Sequence, residues 1–285
     1  MTTAVASIAA RKRDRRRLTL TWAFAVPVII LSVGPFLWLL KTSLITEQEI
    51  FLRPLQYLPT SLTLENFVEL FERMNFLIYF RNSFVVGLGT TALGLFVSVT
   101  AAYAFARYRF RGRRFLMSVF LVIPMFPSVL ILIPIYDVMR SIGLVDTYLA
   151  LIIAYCSFAI PFAVWMMTGY FSALPSDMEE AARVDGCNRF TAFVRILLPV
   201  ALPGMSATAL YIFITSWNEY VFAALLAQDI SVRTLPVALQ FFITEFTVNW
   251  GMLAAGGVVV SLPVILLFVF LQRHLISGLT AGAVK

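Results

Sequence analysis

The sequence predicts an all-α membrane protein, a polytopic bundle of six transmembrane helices with both termini on the cytoplasmic side. Three observations carry this. The 285 residues are 60% hydrophobic and only 13% charged, whereas a soluble globular chain is about 45–50% apolar and about 25% charged. Apolar runs recur that reach the roughly 20 residues needed to cross a bilayer. The basic residues are bunched at the ends of those runs. Such a chain has too few charges to cover a water-facing surface, which excludes a soluble enzyme and a disordered regulator. The net charge of +7 does not indicate nucleic acid, because that footprint gathers on one face of a soluble domain. The bilayer is the expected partner of this surface, and no nucleic acid is.

The elements follow in order. Residues 1–17 form a basic tail with Arg11, Lys12, Arg13, Arg15, Arg16 and Arg17. The first span covers 18–41. It is longer than the roughly 7–15 apolar residues of a signal peptide and runs into Lys41-Thr42-Ser43 without a small-residue cleavage site, so it is expected to be retained. Pro27 and Pro35 inside it are tolerable where neighbouring helices satisfy the freed carbonyls. The loop 42–82 is the longest outer one. Leu64, Phe67, Val68 and Phe71 give it one short amphipathic helix. The remaining spans are expected at 83–106, 115–136, 148–171, 200–227 and 252–271, making 83–272 the core and 273–285 a second tail.

The basic residues orient this bundle. The N-terminal tail holds six, 107–114 five, 172–199 three and the C-terminal tail two, together sixteen of the 22. Cytoplasmic loops carry such an excess, so these four segments are placed inside.

Catalytic and metal chemistry find little to work with. Cys156 and Cys187 are the two cysteines and His274 the one histidine, too few for a metal cage or a disulfide framework. A phosphate-binding loop needs a Gly-rich turn ending in Gly-Lys-Ser/Thr. The lysines are Lys12, Lys41 and Lys285, and Lys41-Thr42 follows Leu39-Leu40 instead. The chain is expected to be non-catalytic, so any ATP must be hydrolysed by another polypeptide.

The stretch 172–199 is too long for a plain connection. Ser176, with Glu179 three residues on, reads as a capping box opening a helix. The helix continues through Glu180, Ala181, Ala182 and Asp185, and Gly186 ends it with a positive φ. A second helix, from Arg189 to Leu198, is expected to place Phe190, Phe193, Val194 and Leu197 on one side, with Pro199 ending it. An interfacial anchor is one reading of this pair of helices. The small Ala181 and Ala182 favour the other, docking into a groove of a partner protein.

Glu180-Ala181-Ala182, Gly186, Ile196 and Pro199 at this spacing resemble the EAA loop of ABC importer permeases. The likeness extends over nearly the whole chain beyond residue 17. Pro35-Phe36-Leu37-Trp38, Asn82-Ser83, Tyr103-Ala104-Phe105-Ala106-Arg107, Trp217-Asn218-Glu219-Tyr220 and the tail from Gly278 to Lys285 are similar to the carbohydrate branch, in particular to its maltose-type smaller permease. The resemblance implies a type I importer permease fold in the inner membrane. It also implies a second permease subunit as a heterodimer partner, two copies of a cytoplasmic ABC ATPase, and an extracytoplasmic binding protein that delivers a sugar or oligosaccharide. Glu180, Ala181, Ala182, Asp185, Gly186, Ile196 and Pro199 would couple the ATPase to the path. Phe241, Phe242, Thr244, Glu245 and Asn249 would meet the binding protein. No cofactor is expected on this chain, since ATP and Mg belong to the partner ATPase.

Asn218 and Glu219 are the candidates for the path itself. An ionisable residue at membrane depth points to a pathway or gate, and structural pairing with a neighbouring helix is the competing reading. Trp217 and Tyr220 read as interface anchors. Gly87/Thr91 and Gly251/Ala255 favour close helix packing. Two alternatives stay open: a permease for a phosphorylated polyol or other polar solute, and a secondary transporter. The latter predicts paired intramembrane carboxylates, of which Glu219 alone is visible.

Overall fold

Apolar length sets most of the helices, and proline and polar caps set where they break. The computed structural model describes residues 2–54, 57–72, 74–244 and 246–283, with side chains for those between 21 and 273. In chain order α1 is Thr2–Ser43, α2 Glu47–Ile50, α3 Glu65–Glu72 and α4 Phe76–Arg107. Next come α5, Arg113–Val122, and α6, Ser128–Ser141, then α7, Tyr148–Ala173, and α8, Asp177–Val184. A continuous helical stretch Arg189–Val200 follows, made of α9 (Arg189–Ala192), a π-helical turn Phe193–Leu197 and α10 (Leu198–Val200). The last are α11 (Leu202–Trp217), α12 (Val221–Leu226), α13 (Leu235–Leu239) and α14 (Trp250–Ala283).

Among the described residues, four helical stretches are long and apolar enough to cross a membrane: Thr21–Ser43, Phe76–Arg107, Tyr148–Ala173 and Trp250–Arg273. Six arise if two bent pairs each count as one span. The second span therefore starts at Phe76, earlier than 83. The third is not the single run 115–136. Arg113–Met125 and Ser128–Ser141 meet at 98°. Pro127 disfavours helical backbone at the residue before it, and Phe126 is extended, with φ −72° and ψ 134°. The fifth is not one helix over 200–227 either. α11 ends at Trp217 and α12 begins at Val221, while Arg189–Val200 meets α11 at 76°.

The chain divides into two compact units, Met1–Arg73 with Glu245–Val259, and Met74–Thr244 with Val260–Lys285. In the first, the Asn66 amide donates to the carbonyls of Ser43 and Ile45 at 3.0 and 2.9 Å. The Glu47 carboxylate accepts the N–H groups of Trp250 and Gly251, the open donors at the start of α14. α3 turns Leu70 fully inward and leaves Val68 and Leu64 exposed, so its buried face is rotated from the one expected.

The second unit is built on α4, α7 and α11. α7 packs along α4, and α11 packs on both. Small residues permit this closeness. A Cβ on Gly204 of α11 would lie 2.5 Å from the Tyr170 ring of α7, and one on Gly87 of α4 would lie 3.2 Å from Phe213 of α11. Apolar clusters close the two ends. Val86, Leu151, Tyr155, Phe222 and Leu226 form one beside α12. Val99, Met167, Phe171, Phe193 and Leu197 form the other beside α8. Trp217, expected as an interface anchor, is 1% exposed and donates its indole N–H to the Val260 carbonyl at 3.0 Å.

Candidate functional site

α8 and the stretch after it are locally self-sufficient. The Cys187 N–H bonds the Ala182 carbonyl at 2.9 Å and the Gly186 N–H bonds that of Arg183 at 3.1 Å. This six-to-one and five-to-two pair is the Schellman stop. It requires the left-handed backbone that Gly186 supplies, at φ +89°. Two residues later the Asn188 side chain accepts the Thr191 N–H at 2.8 Å and caps the next helix. Pro199 has no N–H for the Arg195 carbonyl, and the helix widens into its π turn just before that proline.

The capping box does not form. Ser176 has helical backbone and makes no side-chain cap. Glu179 turns inward instead and pairs with Arg107, the last residue of α4. The Arg107 Nε donates to Glu179 Oε1, and the Tyr103 hydroxyl donates to Oε2 at 3.0 Å. Arg107 also donates through Nη2 to the carbonyl of Leu174, at the end of α7, at 3.2 Å. The pair is enclosed, with side chains 14% and 15% exposed. The Tyr103 ring lies 4.4 Å from Phe193 and 6.3 Å from Phe171, centroid to centroid. A cleft of about 230 Å³ opens beside the pair, lined in part by Glu180, Arg183 and Arg189.

The outer face of α8 is the reverse of its inner one. Ala182 is buried, while Glu180, Ala181, Asp185 and Gly186 are exposed. Val184 and Phe190 are 88% and 74% exposed, so Phe190 does not share the buried side of Phe193 and Leu197, and Val194 is exposed too. Ile196 is half-buried and Pro199 exposed.

The path candidates sit at the break between α11 and α12. The Asn218 amide donates back to the Ile214 carbonyl at 3.0 Å. The Glu219 carboxylate accepts the N–H groups of Phe222 and Ala223 at 3.0 and 3.2 Å, taking the open donors that begin α12. The fully buried Tyr155 hydroxyl faces Glu219 and Thr234. Glu219 is thus built into the break as a helix cap.

Of the residues expected to meet a binding protein, Phe241 and Thr244 are exposed and Phe242 is only 5% exposed. Phe241 lies edge-on to Tyr79, 6.2 Å away, with the Arg233 guanidinium 5.7 Å from its ring. In the other unit, Asn249 accepts the Met252 N–H at 2.9 Å and caps α14. Glu245 lies outside the described residues.

Comparison with known proteins settles the class. Residues 94–280 match the family described as the binding-protein-dependent transport system inner membrane component. The chain belongs to this family. The sulfoquinovosyl glycerol transport system permease protein SmoH of Agrobacterium fabrum is 34% identical over 90% of each chain. The trehalose transport system permease protein SugB of Mycobacterium tuberculosis is 34% identical over 95% of this chain and 98% of its own. The fold matches a chain of a bacterial ABC transporter that imports the acidic polysaccharide alginate, with a TM-score of 0.76 over 92% of this chain and 97% of that one, at 22% identity. This permease is therefore an inner-membrane component of an ABC import system that works with a binding protein.

Proposed function

We propose that this permease forms half of the translocation path of an ATP-driven importer for a sugar or oligosaccharide. A second, different permease subunit supplies the other half. Two copies of a separate ATPase bind and hydrolyse ATP with its Mg. This chain holds no cofactor and catalyses nothing. α8 faces the cytoplasm and docks on the ATPase through Glu180, Ala181, Asp185 and Gly186, with Ala182 as a buried support behind them, while Ile196 and Pro199 carry the docked element into α11. The binding protein meets Phe241 and Thr244, where Phe242 acts as a buried support, and Glu245 and Asn249 are its contacts in the other unit. Asn218 and Glu219 mark the path at the break between α11 and α12.

One observation carries the docking reading. Val184 and Phe190 are large apolar side chains left open on a helix–turn–helix whose turn is closed by its own hydrogen bonds. Exposed apolar groups on a segment read as facing water call for a partner. The names of relatives support the solute class. They include transport of trehalose and of sulfoquinovosyl glycerol.

Gly186→Pro tests the reading, because proline cannot adopt φ +89°. The variant is expected in the membrane at normal level with uptake abolished. Normal uptake would overturn the coupling role. Uptake by the complete importer in liposomes, run with labelled neutral and anionic oligosaccharides against a phosphorylated polyol, fixes the solute class.

A further inference from the structure

α7 and α11 are joined by the chain to the two ends of the 174–201 segment, so they follow any movement of it. α4 is not so joined. Seventy-two residues separate Arg107 from Glu179, although α4 packs against both α7 and α11. Something other than chain connectivity must keep α4 in step.

We propose that the Arg107–Glu179 pair, with Tyr103, is the joint that makes α4 move with the docking segment. Arg107 and Glu179 are positioning residues of the transport cycle. This rests on the docking role of α8 given above.

The geometry has the properties a joint needs. Both carboxylate oxygens of Glu179 are held from α4, one by Arg107 and one by Tyr103. Arg107 grips the end of α7 as well, through the Leu174 carbonyl. Tyr103 packs its ring at a tilt against Phe193 in the π turn that leads to α11. Two residues of α4 therefore reach α7, α8 and the approach to α11 together. An enclosed charge pair is directional, and removing one partner strands the other charge in a poorly solvated place. α8 consequently has an inward grip at Glu179 and Ala182, with an outward face at Glu180, Ala181 and Val184.

Arg107 also stands apart from its neighbours. Arg109, Arg111, Arg113 and Arg114 continue the same basic turn, and among the described residues none of their guanidiniums has a carboxylate partner. A topology signal explains those four. It does not explain an arginine turned inward onto a carboxylate of another helix.

The test uses the complete importer in liposomes. Arg107→Glu and Glu179→Arg, each alone, are expected to keep the ATPase bound and to lower uptake at least tenfold, with more ATP hydrolysed per solute moved. The double variant Arg107→Glu with Glu179→Arg is expected to recover uptake to a third of wild type or better. Uptake within twofold of wild type in both single variants overturns the joint, as does a double variant no better than the singles. Loss of ATPase binding in the singles also overturns it, since the pair would then serve docking. If the reversals fail to reach the membrane, Tyr103→Phe and Arg107→Lys decide. A two- to fivefold fall in uptake with the ATPase retained supports the joint, and unchanged uptake in both overturns it. Ala181→Cys in the wild-type background separates the underlying reading. Failure to cross-link to the ATPase sinks the docking role, whereas a cross-link together with unaffected uptake in Glu179→Arg sinks the joint alone.

Discussion

The two ends of the α4–α7–α11 core are held by opposite means. At the α12 end, side chains bind backbone. Asn82, fully buried, donates to the Arg233 carbonyl at 2.8 Å and accepts the Tyr148 hydroxyl at 2.6 Å. Ser83 accepts the Leu235 N–H at 2.7 Å. Asp146 accepts those of Gln228 and Asp229 at 2.6 and 2.8 Å. The 228–235 stretch is mostly irregular, so its polar backbone needs these partners. At the α8 end the Schellman stop and the Asn188 cap satisfy the turn from within, and the grip on the core is one charge pair and a tilted aromatic contact. Moving 228–235 would strand several N–H groups. The 177–200 stretch can move as a body while keeping its own bonds. The first arrangement suits a fixed wall and the second a moving part.

The sharpest way to break this contrast is at Asn82. Asn82→Ala removes its bonds to Arg233 and Tyr148 in a closed environment and leaves the Arg233 carbonyl without its side-chain donor, while the Tyr148 hydroxyl keeps Ser231 and Arg81, at a cost of about 1–3 kcal/mol. The thermal midpoint of the detergent-purified complex should fall clearly, while the uptake that survives keeps the wild-type ratio of solute moved to ATP hydrolysed. If that ratio collapsed at normal stability, the α12 end would be part of the coupling machinery.

Asp146→Ala comes next. It removes an acceptor of two N–H groups and puts alanine at φ +62°, a backbone that aspartate tolerates better. A loss of about 2 kcal/mol is expected. Amide exchange should speed up within 226–235 and remain unchanged within 177–200. Equal acceleration in both stretches would mean that the ends are not independent.

Gly186→Ala probes the opposite end with a smaller perturbation. Nothing lies within 4 Å of the added methyl, so the cost is the left-handed backbone alone, about 1 kcal/mol. Uptake should fall several-fold with the thermal midpoint barely moved. A large drop in midpoint with normal uptake per folded complex would reverse the roles assigned to the two ends.

These features were unequally legible in the sequence. Apolar runs reveal spans because the bilayer imposes their length, and Gly186 reveals a stop because few other residues adopt its φ. Pro124 and Pro127 mark the third-span break, but they were passed over because average hydropathy across 115–136 conceals a change of direction. Glu179 misleads a local reading. Its position three after Ser176 suits a capping box, and its actual partner, Arg107, lies outside any window that periodicity can examine. Trp217 misleads in the same way, since an aromatic near a span end reads as an anchor until the Val260 carbonyl is brought beside it. Asn82 and Ser83 carried a family resemblance in sequence, while their task of holding 233–235 depends on the fold. Asn188 was another legible signal passed over, a capping residue placed directly before a helix.

The mildest probe of the contrast is pH. Asp229 lies in the fixed stretch, and its carboxyl is held below its ordinary value of 3.8, first by hydrogen bonding to Ser231 and further by the Arg233 charge. The Ser231 N–H reaches Oδ1 at 2.7 Å. A depressed carboxyl stabilises the fold above its ordinary value and loses that contribution as pH falls through the lowered one. Asp229→Asn should therefore melt slightly below wild type by a constant margin from pH 8 to 5. The margin should close only below pH 3.8, when the wild-type carboxyl takes up its proton. The side chain is open to water, so salt should shrink the part due to Arg233 and leave the hydrogen-bonded part. No margin at any pH would show that Asp229 titrates alike in the folded and unfolded chain, and the α12 end would then be fastened by Asn82, Ser83 and Asp146 without its help.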